Sequence, residues 1–442
     1  MGVFRPFARS GRLHLRGSRD LCVRLPHDGD MQRAGRITIV TVAVLASLLM
    51  AIPPVAADPG KQPRIDTLLQ RRLHDPRLGS NVAMIVIDAD TGGVLSKHSA
   101  DRPMHTASNM KIVTAVTALA AMGPDTRFVT RVRAGASAKD VILQGAGDPL
   151  LSNADLSLLA SRTAERLTRG AAVTVHVDGD LFPAPSKGPG WKPNYLGYQV
   201  AAVQALARRG DRGRQPSLAA ATAFTSALRA RGIKATLGRN ADAAPHAAVL
   251  ARVPGHTVAK AVGVMLSESE SNVAEVLFRH VAIAAGRKPT WAGARRAARE
   301  TLVSLGLDPT GMVLADGSGL SRDVRLTPRF IVDVLRVAKV TQRKRFATMF
   351  AASAMPIAGR TGTLTTRYGR YSTSPSSCAR GDVQAKTGTL VDTIALSGVA
   401  KTAAGGRRLF SIIVNDRPMR FSALSTRRAV DGLAATITGC WH

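Results

Sequence analysis

The sequence contains few acidic residues, few aromatic residues and little cysteine. Its 442 residues include 30 Asp and Glu against 61 Lys and Arg, so the formal net charge is +31. Only 4% of the residues are aromatic and three are cysteine, yet 45% are hydrophobic. That hydrophobic content excludes a wholly disordered chain, and the length predicts two or three domains. The charge predicts an anionic partner such as nucleic acid, lipid headgroups or cell-wall polymers.

Long hydrophobic runs are absent except for one near the N-terminus. Arginine-rich sequence precedes an apolar run at 37–52, and small residues follow as far as Ala57. This order is typical of a secretory signal, so we predict a leader over 1–57, with Met31 as the true start. A retained anchor helix is the alternative, although a run of 16 residues is slightly short for a membrane span. We therefore expect an exported, extracytoplasmic protein associated with the cell wall or the membrane.

The basic character belongs to the body of the chain as well as to the leader. Without the eight arginines and three aspartates of residues 1–57, 53 basic and 27 acidic residues remain, a net charge of +26. The sequence has no zinc-finger pattern and no aromatic-plus-basic nucleic-acid motif. For an exported chain, anionic wall polymers or a membrane surface are thus the expected partners, and nucleic acid is not.

Two cysteines remain once the leader is removed. Cys22 lies in the leader, whereas Cys378 and Cys440 lie near the C-terminus. Two cysteines in an exported chain can pair, but spacing alone does not show that their thiols meet. No Cys/His spacing resembles a zinc site, and we expect neither a metal nor an organic cofactor.

The pattern of predicted elements indicates an α/β (α+β) fold. Strand-like runs near both ends of the body enclose helical sequence, which predicts one antiparallel sheet with flanking helices. Between 125 and 255 the pattern changes to short strands, turns rich in Gly, Pro and Asp, and an Ala/Arg-rich helix near Ala219–Arg231. We interpret this as a smaller inserted region between two parts of a catalytic domain, at 58–124 and 256–442.

The tetrad Ser108-Asn109-Met110-Lys111 opens a strongly helical run. Residues i and i+3 share one helix face, so the Ser108 hydroxyl and the Lys111 amine can be neighbours. A serine needs an adjacent base to act as a nucleophile, and desolvation can turn a lysine into that base. Taken alone, such a tetrad favours a helix cap followed by a solvated lysine, but here it follows a predicted strand hairpin and opens an apolar helix, which favours the catalytic interpretation.

A second tetrad, Lys386-Thr387-Gly388-Thr389, lies on a predicted strand. Lys and Thr can bind a substrate carboxylate, and Gly388 would let a ligand approach the backbone closely. The similar tetrad at 360–363 lies in sequence that resembles a loop, so we prefer Lys386. A polar Ser/Glu run at 267–272 separates two predicted helices, and alone it would be a capped loop.

Together these elements, in this order, resemble the signature of penicillin-recognising serine enzymes. More specifically, the chain resembles the D-alanyl-D-alanine carboxypeptidase/endopeptidase branch of the low-molecular-mass penicillin-binding proteins. The segments that carry the resemblance are ASNMK (107–111), LQGAGDPLL (143–151), MLSESESNVAE (265–275), DGSGLSRD (316–323), PIAGRTGTL (356–364) and AKTGTL (385–390).

The resemblance implies a penicillin-binding/β-lactamase-like transpeptidase fold and an acyl-enzyme mechanism on peptidoglycan stem peptides, inhibited by β-lactams. The residues that it singles out are the nucleophile Ser108, its base Lys111, the proton-relaying Ser269, the carboxylate-binding Lys386, Thr387 and Gly388, and the oxyanion-hole N–H groups of Ser108 and Thr389. It implies a carboxypeptidase that can also act as an endopeptidase.

The second element departs from the family pattern. The family has S-x-N, whereas an ungapped alignment places Ser271 at the Asn position and leaves Asn272 one residue late. Either Ser271 substitutes in substrate binding, or the loop bulges so that Asn272 reaches the cleft.

This departure keeps a non-catalytic wall-binding protein open as an alternative. A serine β-lactamase is disfavoured by the long insert and by the lack of a separate deacylating Glu motif. A Ser-His-Asp triad through His105 is disfavoured because no G-x-S-x-G surrounds Ser108.

Overall fold

The computed structural model describes residues 62–442, with side chains from Ile65 onward, and these residues belong to one compact unit. The predicted leader and its cleavage after Ala57 lie outside the described residues. None of the described helices combines the length and the apolar character that crossing a bilayer requires.

The described chain contains α-helices and β-strands in alternating groups. The helices are α1 (Gln62–Leu73), α2 (Met110–Met122), α3 (Asn153–Ala164), α4 (Pro216–Arg229), α5 (Val258–Ser267), α6 (Ser271–Ala284), α7 (Trp291–Ser304), α8 (Pro328–Arg336) and α9 (Ala423–Thr438). The strands are β1 (Val82–Asp88), β2 (Val94–His98), β3 (Arg131–Ala134), β4 (Asp140–Gln144), β5 (Ala172–Asp178), β6 (Lys234–Asn240), β7 (Val249–Arg252), β8 (Val383–Thr389), β9 (Ile394–Lys401) and β10 (Arg407–Val414).

The first sheet joins the two ends of the described chain. Its order is β2-β1-β10-β9-β8, and every neighbouring pair is antiparallel. The predicted antiparallel sheet is therefore confirmed. Both of its faces are covered, because alternate residues of β1 enter different cores: Ala83 and Ile85 pack with α2 and α8, whereas Met84 and Val86 pack with α1 and α9. This explains why β1 is apolar at nearly every position.

Local capping fixes where several of these helices start. The side chains of Thr257, Thr290, Thr327 and Ser422 each accept a hydrogen bond from a backbone N–H three residues on, at the starts of α5, α7, α8 and α9. Such caps satisfy N–H groups that have no partner within the helix. Pro328 at the first position of α8 reinforces that boundary.

A second sheet lies wholly within the segment interpreted as an insert. Its order is β6-β5-β4-β3-β7; β4, β5 and β6 run parallel, whereas β3 is antiparallel to both its neighbours. Helices α3 and α4 cover it around a separate apolar core. The sequence pattern predicts α4 near Ala219–Arg231 and strands at 128–132, 141–143 and 173–177, which correspond to β4 and β5 and overlap the start of β3. It does not predict α3, β6 or β7. The domain division at 125–255 stays a prediction.

The chain departs from the predicted helices after α8. Residues 337–341 continue α8 as a π-helical turn. The sequence pattern predicts a helix over 344–350, but only a short 3₁₀ turn is found there, at Ala347–Phe350. Near the C-terminus, Cys378 and Cys440 form a disulfide with their Cα atoms 5.9 Å apart. It joins the segment before β8 to the end of α9.

Candidate active site

Ser108 and Lys111 lie at the start of α2, as their spacing predicts. Ser108 belongs to a 3₁₀ turn over Ala107–Asn109, and Lys111 is the second residue of α2. The Lys111 Nζ lies 2.8 Å from Ser108 Oγ. Lys111 is fully buried, whereas Ser108 is partly exposed. A buried amine thus contacts a hydroxyl that a ligand can still reach.

A loop at 316–321 forms the wall behind Lys111. The Lys111 Nζ donates to the Ser318 carbonyl at 3.1 Å. Gly319, with φ +78, passes so close to α2 that a Cβ there would lie 1.9 Å from the Ala107 carbonyl oxygen. This close approach, which requires glycine, holds the loop against the helix start.

Two buried carboxyl groups support this loop. Glu275 of α6 accepts the backbone N–H groups of Gly317 and Ser318, both at 2.9 Å. Asp316 accepts from the Trp191 indole N–H at 2.8 Å and from backbone N–H groups of its own loop. Burial raises the pKa of both carboxyls, and the negative charge of Asp316 raises that of Glu275 further. From the sequence, Glu275 was assigned no role, although it ends the segment at 265–275 that carries the family resemblance, and Trp191 lies in no such segment.

Burial also prepares Lys111 to act as a base. Loss of water lowers the pKa of Lys111 to about 8, even though the negative charges of Glu275, Asp316 and Glu270 act to raise it. Desolvation disfavours the charged form of an amine. The neutral amine that could take a proton from Ser108 is therefore accessible at mildly alkaline pH.

The serine loop between α5 and α6 contacts both active-site lysines. Ser269 Oγ accepts from Lys386 Nζ at 2.8 Å, and Ser271 Oγ accepts from Lys111 Nζ at 3.3 Å. The predicted relay role of Ser269 stays a prediction, and in this structure Ser271 is the serine of the loop that contacts Lys111. Ser269 has φ +60, a conformation rare outside glycine, and this bend separates the two hydroxyl groups.

Asn272 faces away from the cleft. Its Oδ1 accepts from the backbone N–H of Ala201 at 2.9 Å, and its Nδ2 donates to the Asp211 carbonyl at 3.0 Å. The predicted alternative in which Asn272 reaches the cleft through a bulge is therefore wrong. Of the two candidates, Ser271 occupies the place beside Lys111, and its hydroxyl stands where an amide was expected.

Lys386 lies on β8, the edge strand of the first sheet. Its Nζ also donates to the Thr387 carbonyl at 2.8 Å, and its own carbonyl accepts from Asn109 Nδ2 at 3.1 Å. Burial, and secondarily the positive charge of Lys111, holds the pKa of Lys386 well below its usual range. The two lysines thus flank the serine loop.

The alternation of β8 places the Thr389 N–H on the outer edge of the sheet. The Val383 carbonyl accepts from the Ala358 N–H, and the Ala385 N–H donates to the Pro356 carbonyl, so both odd-numbered residues bond away from β9. Even-numbered residues bond toward β9; the Leu390 N–H, for example, donates to the Thr393 carbonyl. Successive odd residues therefore present their amides outward. An outward Thr389 N–H is available to a ligand, as the predicted oxyanion-hole role requires.

Gly388 has a different reason to be glycine from the one predicted. A Cβ there would lie 2.8 Å from the Thr106 carbonyl oxygen and 3.1 Å from Asn109 Nδ2. The glycine thus lets β8 pack against the turn that carries Ser108. The expected close approach of a ligand at this position stays a prediction.

The tetrad at 360–363 contributes to the same region. Thr363 Oγ1 lies 2.8 Å from Thr387 Oγ1, because the segment from 356 runs along the outer edge of β8. The sequence pattern predicts a loop at 360–363, and for this reason Lys386 was preferred over this tetrad. Thr363 is therefore a cleft residue that the sequence interpretation missed, and its likeness to K-T-G was the signal available.

His105 is buried and contacts other groups. Its Nε2 lies 2.8 Å from the Ser321 carbonyl oxygen, and its Nδ1 accepts the Ala107 N–H at 3.3 Å. Burial lowers its pKa to about 4. The structure does not bring it to Ser108. Among the described residues, no group of three or more His, Cys, Asp or Glu side chains could hold a metal ion.

On this fold, a lysine-activated serine that faces a second lysine on a strand edge is the arrangement of penicillin-recognising serine enzymes. Comparison with known sequences narrows this class. The chain belongs to the D-Ala-D-Ala carboxypeptidase 3 (S13) family, whose profile matches residues 65–208 and 209–437. This confirms the family and the enzyme class predicted from the motifs.

Curated relatives match along most of the chain. Carboxypeptidase DacB of Mycolicibacterium smegmatis is 31% identical over 423 residues, which cover 88% of this chain and 89% of that protein. The D-alanyl-D-alanine carboxypeptidase of Actinomadura sp. strain R39 is 29% identical and covers 88% of this chain and 87% of its own.

Solved structures support the fold. Penicillin binding protein 4 (DacB) of Haemophilus influenzae superimposes with a TM-score of 0.71 at 20% identity, covering 84% of this chain and 99% of that one. Its complex with a β-lactam gives a TM-score of 0.68. The predicted penicillin-binding fold is confirmed.

Proposed function

We propose that this enzyme removes the terminal D-Ala of peptidoglycan stem peptides through an acyl-enzyme on Ser108. The observation that carries the proposal is the 2.8 Å contact between Ser108 Oγ and the buried Lys111 Nζ, beside a second lysine on the β8 edge. A hydroxyl with an adjacent low-pKa amine is a nucleophile with its base.

The chemistry divides into acylation and deacylation. Ser108 Oγ attacks the carbonyl carbon of the penultimate D-Ala while its proton passes to Lys111. The N–H groups of Ser108 and Thr389 stabilise the oxyanion. The amide C–N bond breaks, the leaving amine takes the proton from Lys111, and water then hydrolyses the ester. The same steps on a cross-linked peptide would be endopeptidase action.

The cleft also offers groups for the substrate's terminal carboxylate. Lys386 supplies an amine whose charged form a bound carboxylate would favour, and Thr387 and Thr363 supply two hydroxyl groups 2.8 Å apart. A charge-assisted hydrogen bond there would select a peptide with a free C-terminus. A β-lactam carboxylate fits the same description, which supports inhibition by these compounds.

Fluorescent penicillin and a pentapeptide ending in D-Ala-D-Ala test the proposal together. The purified chain should be labelled and should release D-Ala, and Ser108→Ala should abolish both. Labelling that persists in Ser108→Ala would remove the assigned nucleophile. Labelling without D-Ala release would favour a degenerate wall-binding protein, and fast loss of the label through hydrolysis would favour a β-lactamase.

We also propose that the protein is exported and acts outside the cytoplasm. The disulfide between Cys378 and Cys440 supports this, because disulfides persist in oxidising compartments. The test is mass spectrometry of the intact protein recovered from the cell envelope. The expected mass is that of the chain from Asp58 onward, less the two thiol hydrogens of Cys378 and Cys440. A reduced, full-length protein in the cytoplasm would contradict export.

The remaining partner that we propose is an anionic cell-wall polymer. A groove of about 810 Å³ lies between α1, α9 and the turn at 373–376, on the face of the first sheet opposite α2. The groove has one acidic lining residue, Asp75, which pairs with Arg77. Its basic lining residues are more numerous: Arg71, Arg72, His74, Arg77 and Arg428. Exposed arginines in a groove suit a repeating anion.

Binding to purified wall, before and after chemical removal of its phosphate-bearing polymers, tests this partner. Wild type should sediment with intact wall and be released by salt, whereas a double variant, Arg71→Ser with Arg428→Ser, should bind less. Arg296→Ser with Arg343→Ser removes the same charge from exposed sites elsewhere and should bind normally. Equal binding to stripped wall, or binding only to anionic vesicles, would overturn the assignment.

A further inference from the structure

The loop that carries Ser269 and Ser271 presents two different faces. Its serines point to the active-site lysines. Its intervening acidic residues and Asn272 point the other way, to the segment at 201–213 of the inserted region. From Glu268 to Asn272, the sequence E-S-E-S-N therefore alternates between residues that attach the loop to the insert and serines that contact the active-site lysines.

Three contacts make this attachment. Arg212 donates to both carboxylate oxygens of Glu270, at 3.0 and 2.8 Å. Arg209 donates to Glu268 at 2.6 and 2.8 Å. Asn272 bonds to the backbone of the same segment. The loop is thus held from outside the catalytic helices.

The two ion pairs differ in burial and in what they hold. Side chains of the Arg209–Glu268 pair are 44% and 50% exposed, whereas those of Arg212–Glu270 are 33% and 13% exposed. Glu270 also accepts the Asn272 N–H at 3.3 Å, as the N-cap of α6. The Arg212 pair therefore fixes the residue between the two functional serines, and solvent screens it less.

Glu270 also acts on Lys111 through its charge. The charged groups near Lys111 are Glu275 from α6, Asp316 from the loop behind it, Lys386 from β8 and Glu270 from the serine loop. Glu268 belongs to the more exposed pair, so solvent screens its charge more strongly. Arg212 forms a two-point pair with Glu270, and its positive charge opposes the negative charge that Glu270 places near the base.

We propose that Arg212 is a positioning residue, which acts through Glu270 to hold Ser269 and Ser271 at their lysines and to offset the charge of Glu270 beside Lys111. The inserted region then contributes to catalysis without touching substrate. This inference rests on the proposed function, because it concerns how the position and the pKa of Lys111, the base for Ser108, are set.

The test is the pH dependence of acylation by fluorescent penicillin. Arg212→Ala should slow acylation by about ten-fold, the loss expected for one charge-assisted hydrogen-bonded pair. It should also move the midpoint of the acid limb up by about 0.5 pH unit, because an uncompensated Glu270 favours protonated Lys111. A loss of packing alone would slow the reaction without moving the midpoint.

Matched variants separate the two effects. Arg209→Ala removes the neighbouring pair and should leave the midpoint unchanged. Arg212→Lys restores the charge without the two-point geometry, so it should restore the midpoint and recover the rate only partly. In a Glu270→Gln background, Arg212→Ala should no longer move the midpoint.

An Arg212→Ala enzyme with the rate and midpoint of wild type would overturn the proposal. If that variant is unstable, the Arg212→Lys and Glu270→Gln enzymes still decide the matter, because Glu270→Gln alone should lower the midpoint. Failure of wild type to be acylated at all would instead contradict the proposed function, so the two failures can be told apart.

Discussion

Ser271 Oγ lies 3.3 Å from Lys111 Nζ, in the place where the family pattern predicts an amide. Removing this hydroxyl in Ser271→Ala should slow acylation by about ten-fold, because hydrogen bonds to charged groups are worth about 1.5–3 kcal/mol. Ser271→Asn, whose amide oxygen can accept from the lysine, should be faster than Ser271→Ala. The measurement is the second-order rate of labelling by fluorescent penicillin.

Ser267→Ala is the control for that comparison. Ser267 belongs to the same serine run, but its hydroxyl donates to the Val264 carbonyl at the end of α5. It should therefore label at the wild-type rate. Equal rates for all three variants would mean that the contact between Ser271 and Lys111 has no part in acylation.

The pH profile of wild type follows from the Lys111 environment. Burial lowers the Lys111 pKa to about 8, and only the neutral amine can accept the Ser108 proton. Acylation should therefore rise with pH, with a midpoint near 8, when followed from about pH 6 to about pH 10. His105, with a pKa lowered to about 4, should add no limb in this range. A midpoint near 6.5 would point to an imidazole base instead.

Gly388→Ala should damage the junction between β8 and the turn that carries Ser108. The added Cβ would lie 2.8 Å from the Thr106 carbonyl oxygen and 3.0 Å from the Ala395 Cβ. Overpacking of this kind costs about 1–3 kcal/mol, so thermal unfolding should begin earlier and labelling should be slower.

The matched control is Gly263→Ala within α5. A Cβ there would meet its nearest atoms at 3.9 Å, an ordinary contact, and alanine favours a helix over glycine. Its stability should equal or exceed that of wild type. A Gly388→Ala enzyme that is as stable and as active as the Gly263→Ala enzyme would contradict the packing argument.

Arg370 and Asp431 form a buried ion pair between the chain before β8 and α9. Their side chains are 4% and 0% exposed, and Arg370 donates to both carboxylate oxygens at 2.8 and 2.6 Å. Asp431→Ala leaves a buried guanidinium unpaired, which should lower the free energy of unfolding by about 3–5 kcal/mol. Denaturant melts would measure the change.

The exposed pair between Arg329 and Asp101 provides the comparison. Its side chains are 34% and 66% exposed, and such pairs are worth about 0–1 kcal/mol. Asp101→Ala should therefore leave the unfolding midpoint nearly unchanged. Similar losses of unfolding free energy in Asp431→Ala and Asp101→Ala would show that burial does not decide the strength of these ion pairs.

The sequence predicted those parts of the candidate active site whose residues lie close together along the chain. Ser108 and Lys111 lie one helical turn apart, and Lys386 lies on a strand that alternation identifies, so their chemistry was visible locally. Glu275 and Trp191 were not, because they act through the loop at 316–321, which only the folded chain brings to Lys111.

The orientation of Asn272 was also beyond the sequence. Helix periodicity places it about 100° from Ser271, but only the positions of Ala201 and Asp211 decide where its amide points. In the same way, α3, β6 and β7 depend on pairing within the second sheet rather than on a strong local pattern.

The pairing of β1 with β10 has a consequence for the order in which the enzyme becomes active. A nascent chain that ends before residue 383 already carries Ser108 and its base Lys111, and it can pair β2 with β1, but it lacks β10 on the other side of β1 and it lacks Lys386. The active site therefore cannot assemble before β8 and β10 have been synthesised. It is completed only when residues 383–442 arrive, so a truncated or unfinished molecule has no complete active site.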